Sequence, residues 1–257
     1  MTVDLSDLTS FAAGDVTAAF LVFLRIGAAM ALMPVFGEMV VPVRVRLALT
    51  LAFTLVVFPT TRVSIRTVIE TVPVVQLALV EVAAGLLLGL SLRLLIVALN
   101  VAGSIAAQAT SLSQLLGGAS VDPQPALGNI LLWAALALAA TMGLHLHVAA
   151  FLIQSYLVIP PGTVLPAAEI LQWLVPSVAQ MFQFAFLAAM PFVAASLMYN
   201  LTLGAINRAM PQLMVAFVGA PAITLGALVL LFLSAPLILI AWFDLLQAAL
   251  SAPLSVP

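Results

Sequence analysis

Three charged side chains lie inside long apolar segments of the chain. Arg25, Glu81 and Arg93 are each flanked in sequence by aliphatic residues. A charge at the middle of a bilayer costs at least ~2.5–3.5 kcal/mol, so such a residue needs a partner, a cavity or water. If the three charges converge, they could form a midplane site for a proton or a small solute, as in a secondary transporter.

Two histidines raise the question of metal binding or catalysis. His145 and His147 are two positions apart, so on a continuous helix they point about 200° away from each other and cannot bind one ion. The sequence has no cysteine and no pattern of the HExxH, GxSxG or Walker type. We therefore expect no catalytic residue, no metal and no cofactor. An intramembrane enzyme that uses these histidines is the weakest alternative.

Small and polar residues recur at helical spacing around Glu81. Glu81, Gly85, Gly89 and Arg93 are four residues apart and form one slowly drifting helix face. Gly85 and Gly89 make a GxxxG pattern, which lets another helix approach closely. The same spacing continues at Asn100, Ser104 and Gln108. The face is either a pore or subunit contact, or an ordinary packing surface between helices, and the residues alone favour neither.

The spacing along this face also bears on the charges. Glu81 and Arg93 are about 18 Å apart on a straight helix, so they cannot pair with each other. Each of them therefore needs a partner elsewhere in the chain or in another protein.

Composition places the chain in a membrane. Hydrophobic residues make up 65% of the 257 and charged residues 6%, whereas a soluble domain has about 25% charged residues. The seven basic residues are all arginine, the net charge is −2, and no basic cluster suggests nucleic-acid binding. The amino terminus is acidic, unlike a secretory signal peptide, so we expect the first apolar segment to be retained as a helix.

The elements that must position these residues are membrane helices. A helix needs about 20 residues to cross a ~30 Å bilayer core, and in hydrocarbon its backbone must be paired internally. We predict an all-α polytopic membrane protein with about six long, proline-kinked hydrophobic helices. Their approximate bounds are 12–35, 47–58, 74–107, 129–157, 170–206 and 212–250.

Several connections follow from proline and polar residues. The second helix should end at Phe58 because Pro59 follows it, and Arg62, Arg66, Glu70 and Pro73 should mark the connection. The last two helices would each be about 55 Å long and contain prolines, so we expect kinks or breaks in them. Helices of this length suit a protein that packs against partners better than one surrounded by lipid.

A set of short motifs extends along nearly the whole chain. They are Arg25–Gly27, Pro34–Gly37, Pro42–Arg46, Glu81 with Gly85 and Gly89, Gly103, Gln108, Asp122–Pro123, Gly143 with His145 and His147, Ser155, Pro160–Gly162 and Asn207–Leu213. In this order they resemble the FliR family of flagellar export-gate membrane proteins and its counterparts in injectisomes. The chain departs from the family at Met214, where asparagine is usual, and at Ala222, where a lysine is common.

The resemblance implies a function and partners. It implies a component of the flagellar type III export gate in the bacterial inner membrane, at the flagellar basal body. This component would form with FliP-like and FliQ-like proteins, beside FlhB and FlhA, a channel for unfolded flagellar proteins. It further implies a single membrane domain over 1–257, with a FliP-like part at 1–165 and a FliQ-like helical hairpin at 166–257.

The resemblance also implies roles for residues between the helices. The polar run between the third and fourth helices resembles a plug that closes the pore, with candidate residues Ser111, Ser113, Gln114, Gly117, Gly118, Asp122 and Pro123. The connection of the last two helices contains Asn207, Arg208, Pro211 and Gln212. The main alternative remains a secondary transporter, although the sequence shows no convincing internal repeat of the kind such proteins usually have.

Overall fold

The computed structural model describes residues 5–110, 126–209 and 215–254, and these ranges fold into helices without any β-strand. The helices are α1 (Leu5–Leu32), α2 (Val43–Ile69), α3 (Val74–Thr110), α4 (Ala126–Thr141), α5 (Leu144–Val158), α6 (Ala167–Ala209) and α7 (Val215–Ser251). Five of them are long and apolar enough to cross a membrane, and α4 with α5 makes a sixth span if the bent pair counts as one. The predicted all-α, polytopic membrane fold is confirmed.

The second helix is longer than predicted. It continues through Pro59 to Ile69, so Arg62 and Arg66 lie within α2 and not in the connection that follows it. Proline is tolerated in membrane helices because nearby hydroxyls and neighbouring helices pair the freed backbone groups. Next to Pro59, the Thr60 hydroxyl donates to the Val57 carbonyl at 2.7 Å. The predicted end at Phe58 was wrong, because α2 continues through Pro59.

The predicted fourth helix is two helices. The chain bends by 78° between α4 and α5, at Met142 and Gly143. Gly143 has a φ of 76°, in the left-handed region that glycine enters without steric cost. A single helix over 129–157 was therefore a wrong prediction.

The chain divides into two compact units. The first unit contains Met1–Leu94, Ala139–Ser177 and Leu246–Pro257, and the second contains Leu95–Leu138 and Val178–Leu245. The division at residue 165 that the resemblance implies concerns likeness to other proteins, and it stays a prediction.

In the first unit, α1 packs along α2 and α3. Phe36 and Phe53 meet edge to face, with their ring centroids 5.9 Å apart, where the chain turns from α1 into α2. Between α1 and α3, Gly85 lies against Arg25 and Gly89 lies against Ala29. These contacts advance together along both helices, so α1 and α3 run in the same direction.

In the second unit, a tryptophan and a pair of glycines mark the closest packing. Trp242 of α7 is fully buried, and its indole N–H donates to the Leu95 carbonyl of α3 at 2.9 Å. A Cβ atom on Gly103 would lie 2.1 Å from the Cα of Gly128, so α3 and α4 touch backbone to backbone.

The last two helices are longer than a bilayer core. With 43 residues, α6 is about 65 Å long, and α7 with 37 residues is about 55 Å long. Pro176 and Pro191 lie inside α6 without ending it. Both helices present large apolar side chains outward, among them Phe186, Leu201 and Phe232.

Candidate functional site

A buried ion pair lies at the centre of the first unit. Nε of Arg25 donates to Oε2 of Glu81 at 2.6 Å, and Nη2 donates to Oε1 at 3.1 Å. The side chains of Arg25 and Glu81 are 0% and 1% exposed. Two parallel N–H···O bonds give this pair the fixed geometry that a planar guanidinium and a carboxylate prefer. The pair ties α1 to α3.

The third guanidinium nitrogen ties both helices to α5. Nη1 of Arg25 donates to the Ile159 carbonyl at 3.0 Å and to the Ser155 carbonyl at 3.5 Å. Both carbonyls lie at the carboxyl end of α5, where a positive charge is favourable. The Ser155 carbonyl also accepts the backbone N–H of Ile159 at 2.8 Å, whereas the Ile159 carbonyl follows the last residue of the helix. Arg25 thereby caps α5 with its side chain.

Tyr156 completes the surroundings of the guanidinium. The Cζ of Arg25 lies 3.8 Å from the centroid of the Tyr156 ring, close enough for a cation–π interaction. The Tyr156 hydroxyl is buried and has no hydrogen-bond partner among the described residues. The polar contact of Tyr156 is therefore between its ring face and the Arg25 guanidinium, and not through its hydroxyl.

Glu81 makes one further contact outside the helices. The backbone N–H of Gly162 donates to Oε1 of Glu81 at 3.4 Å. Gly162 has a φ of 74°, and a Cβ atom there would lie 2.8 Å from Val68 and 2.9 Å from Leu77. The Pro160–Gly162 turn therefore fits between α2 and α3 because it has no side chain at this position.

The GxxxG pattern lies directly beside the ion pair. A Cβ atom on Gly85 would be 2.2 Å from the Arg25 carbonyl oxygen, and one on Gly89 would be 2.6 Å from the Ala29 carbonyl oxygen. The helix that approaches these glycines is α1 of the same chain. Their absent side chains bring α1 close enough for the Arg25 guanidinium to meet Glu81.

The three charges of the apolar segments do not converge. Arg93 pairs with Glu38, with Nη1 and Oε1 2.7 Å apart, and the two side chains are 33% and 16% exposed. Asn100 donates from Nδ2 to the Ile96 carbonyl of its own helix at 3.1 Å. Arg25 and Glu81 are thus joined to each other, while Arg93 belongs to a separate, half-buried pair.

Sequence reasoning missed a second ionic cluster in the same unit. Asp15 of α1 accepts a hydrogen bond from Nε of Arg62 at 2.8 Å, and its carboxylate lies 3.4 Å from Nη1 of Arg66. Arg62 and Arg66 are four residues apart, so one face of α2 presents both to Asp15. The spacing of the two arginines could have predicted the cluster. Because the second helix was predicted to end at Phe58, the two arginines were not expected to share a helix face.

The histidines lie at the surface. His145 and His147 are exposed in the first turn of α5, and Nδ1 of His147 is 3.2 Å from the Gly143 carbonyl. Within the described ranges, no three His, Asp or Glu side chains lie close enough together to bind a metal ion.

Other predicted site residues fall outside the described part of the chain. The plug candidates Ser111, Ser113, Gln114, Gly117, Gly118, Asp122 and Pro123 lie there, as do Pro211 and Gln212 of the last connection. Asn207 and Arg208 are in the last turn of α6, and the Arg208 side chain is exposed.

Comparison with known proteins identifies the family to which the chain is similar. Residues 16–249 match the model of a family described as bacterial export proteins, family 1. The chain is 32% identical over 233 residues to the flagellar biosynthetic protein FliR of Caulobacter vibrioides, a match that covers 90% of this chain and 93% of that protein. It is 28% identical to FliR of Escherichia coli, over 77% of this chain and 76% of that protein. For FliR of Aquifex aeolicus the identity is 31%, over 85% of each chain.

Proposed function

This chain belongs to the FliR family of bacterial export proteins, and from that premise we propose that it forms, with FliP-like and FliQ-like proteins, the channel through which unfolded flagellar subunits are secreted. It is a membrane component of flagellar protein export. The observation that carries the proposal is a family match over residues 16–249, which covers all of the second compact unit and most of the first.

The outer surface of the helices supports assembly with other membrane proteins. In an apolar stretch of 18 residues within α2, only 17% is buried inside the chain, and in the corresponding stretch of α7 only 22% is buried. Because α6 is about 65 Å long, it extends well beyond a ~30 Å bilayer core. Apolar surface outside the bilayer is stable only against other apolar surface. FliP-like and FliQ-like subunits would supply it, with FlhB and FlhA beside them in the bacterial inner membrane at the flagellar basal body.

The buried polar centre suits a structural component. All three guanidinium nitrogens of Arg25 are hydrogen-bonded within the chain, and Arg93 is paired elsewhere. A transporter with a midplane site at Arg25, Glu81 and Arg93 would need these charges to converge. We therefore assign the Arg25 cluster to holding α1, α3 and α5 together.

Co-purification tests this function. The tagged full chain is extracted in mild detergent, and everything that co-purifies is identified by mass spectrometry, with the untagged strain as the control. We expect a large complex that contains FliP-like and FliQ-like proteins. Recovery of a monomer or homodimer, together with normal swimming of a strain that lacks the chain, would contradict the proposal.

The run between α3 and α4 would be the plug of the channel. Its glycines and serines allow it to be displaced by a passing chain, and a few kcal/mol would suffice to hold the pore closed. Deletion of Ser111–Ser120 should increase ion leakage through the assembled complex. A complex that assembles normally and leaks no more than the wild type would reject this role.

A further inference from the structure

A pocket lies beside the first turns of α6, within the first unit. Its volume is about 180 Å³, and most of its lining is apolar, including Leu87 of α3, Ile159 after α5, and Ile170 and Trp173 of α6. The Ile159 side of the pocket is fixed, because the Ile159 carbonyl accepts a hydrogen bond from Arg25 at 3.0 Å. The buried polar centre of the unit therefore also holds one wall of this pocket.

Glu169 is the ionisable residue of the pocket. Among the described residues that line it, no other side chain carries a charge. Glu169 lies in the first turn of α6, and in the described ranges its carboxylate has no ion-pair or hydrogen-bond partner. Trp173, which is 7% exposed, follows four residues later, so the two side chains lie on one face of α6. A carboxylate and an aromatic ring thus occur together in an apolar pocket.

The same chain binds an arginine with this combination of groups. The Arg25 guanidinium donates two hydrogen bonds to Glu81 and lies 3.8 Å from the centroid of the Tyr156 ring. A guanidinium suits such surroundings because it is planar, pairs with a carboxylate through two bonds, stacks on aromatic rings and is weakly hydrated. Its aliphatic stem also packs against apolar walls. The chemistry of the pocket matches an arginine side chain.

The described part of the chain does not supply this arginine. Its arginines form ion pairs with Asp15, Glu38 and Glu81, and none of them pairs with Glu169. A zwitterionic lipid headgroup would bring a phosphate close to the Glu169 carboxylate, and the described lining has no basic side chain to bind that phosphate. An arginine from another protein brings a positive charge alone.

The surface around the pocket also suits a protein partner. Val158, which lines the pocket, is 48% exposed. Val164 and Leu171, each next to a lining residue in sequence, are 64% and 56% exposed. Arginine and tryptophan are enriched among the residues that dominate binding energy at protein interfaces, where anchors fill pockets surrounded by contacts that exclude water.

We propose that this pocket receives an arginine side chain of a partner subunit, whose guanidinium pairs with Glu169 beside the Trp173 ring. The inference rests on the proposed assembly and adds to it a contact point and the chemistry of the partner residue.

Photo-crosslinking in cells identifies what occupies the pocket. In the tagged full chain, Val158 is replaced by p-benzoylphenylalanine, the cells are irradiated, and the cross-linked products are analysed by mass spectrometry. We expect a cross-link to a peptide of another subunit that contains an arginine close to the cross-linked residue. A cross-link to phospholipid alone, to this chain alone, or to a peptide without a nearby arginine would overturn the proposal.

Exchange of the charges tests the pairing itself. Glu169→Arg should lower the amount of co-purified partner by about tenfold or more, and Glu169→Gln should lower it several-fold. Changing the identified partner arginine to glutamate in the Glu169→Arg background should restore co-purification, which a misfolded variant could not do. The matched control is Glu70→Gln, at an exposed carboxylate at the end of α2 that does not line the pocket, and it should have no effect.

The outcomes separate this inference from the export function. If the wild-type chain co-purifies with FliP-like and FliQ-like proteins while both Glu169 variants recover as much of them as Glu70→Gln does, the pocket is not an arginine site and the function stands. Failure of the exchanged charges to restore co-purification overturns the pairing in the same way. A wild-type chain that purifies alone would overturn both proposals.

Discussion

The guanidinium of Arg25 and the carboxylate of Glu81 form a two-bond ion pair that is closed to solvent on both sides. Removing two charges from water is costly, and their attraction offsets that cost only with good geometry and with partners for the remaining donors. Here the α5 carbonyls and the N–H of Gly162 supply those partners. A pair of this kind contributes little net stability, yet losing one member leaves a buried charge without its counterion.

Substitution of Arg25 is therefore expected to be severe. Arg25→Gln removes both bonds to Glu81 and the cap of α5, and it leaves a buried carboxylate. We expect a loss of roughly 3–5 kcal/mol in the free energy of unfolding. Glu81→Gln should cost less, because Arg25 keeps its bonds to Ile159 and Ser155. Denaturant titration of the full chain in mixed micelles measures both losses.

The matched control is the half-buried pair of Arg93 and Glu38. Solvent screens this pair, so Arg93→Gln should cost less than about 1 kcal/mol. Equal losses for Arg25→Gln and Arg93→Gln would contradict the central role of the Arg25 cluster.

A second prediction follows from the close approach of α1 to Gly85 of α3. An alanine Cβ would lie 2.2 Å from the Arg25 carbonyl oxygen, which is backbone and cannot move independently. Gly85→Ala should push α1 away from α3, weaken the buried pair and destabilise the chain by about 1–3 kcal/mol. The same titration measures this loss.

Gly226 in α7 provides the control for this substitution. A Cβ atom there meets nothing within 4 Å, so Gly226→Ala should be neutral or should stabilise by up to about 1 kcal/mol through helix propensity. A Gly85→Ala variant as stable as Gly226→Ala would show that the two helices can separate without cost.

A third prediction concerns the stability of Trp242 variants in the second unit. Trp242→Phe removes the hydrogen bond to the Leu95 carbonyl but keeps most of the buried ring, so we expect a loss of about 1 kcal/mol. Trp242→Ala also leaves a cavity and should cost about 3–5 kcal/mol. Thermal unfolding of both variants tests the order. Similar losses would mean that the hydrogen bond, and not the packing of the ring, stabilises this position.

How much the sequence could predict depends on the range of the interaction concerned. Composition and the length of the apolar segments predicted the all-α membrane fold, because both follow from the transfer of side chains into lipid. The spacing of Glu81 and Arg93 predicted that each needs its own partner, and the structure pairs them with Arg25 and Glu38. Which partner each residue takes depends on contacts more than 50 residues apart in sequence.

Other features could not be predicted from the sequence because no residue type or short pattern marks them. The cap of α5 uses backbone carbonyls, which every residue has, so no residue type marks Ser155 or Ile159 as the target of Arg25. A proline inside a helical pattern ends many helices in water, but α2 continues through Pro59, as membrane helices often do. The left-handed conformation of Gly143 has no signature in a helix that is apolar on both sides.

The break at Gly143 leads to the last prediction. A residue with a side chain is disfavoured by about 1–2 kcal/mol in the left-handed conformation, so Gly143→Ala should destabilise the bend or shift it toward a continuous helix. The exposed histidine at position 147 lies one turn beyond the break, with Nδ1 3.2 Å from the Gly143 carbonyl. Cysteine-scanning accessibility across positions 140–148 in the cysteine-free chain would measure the change. Gly204→Ala, which introduces a methyl group into open space on α6, is the control. A Gly143→Ala variant with unchanged stability and an unchanged accessibility pattern would show that the bend is imposed by the surrounding helices and does not need glycine.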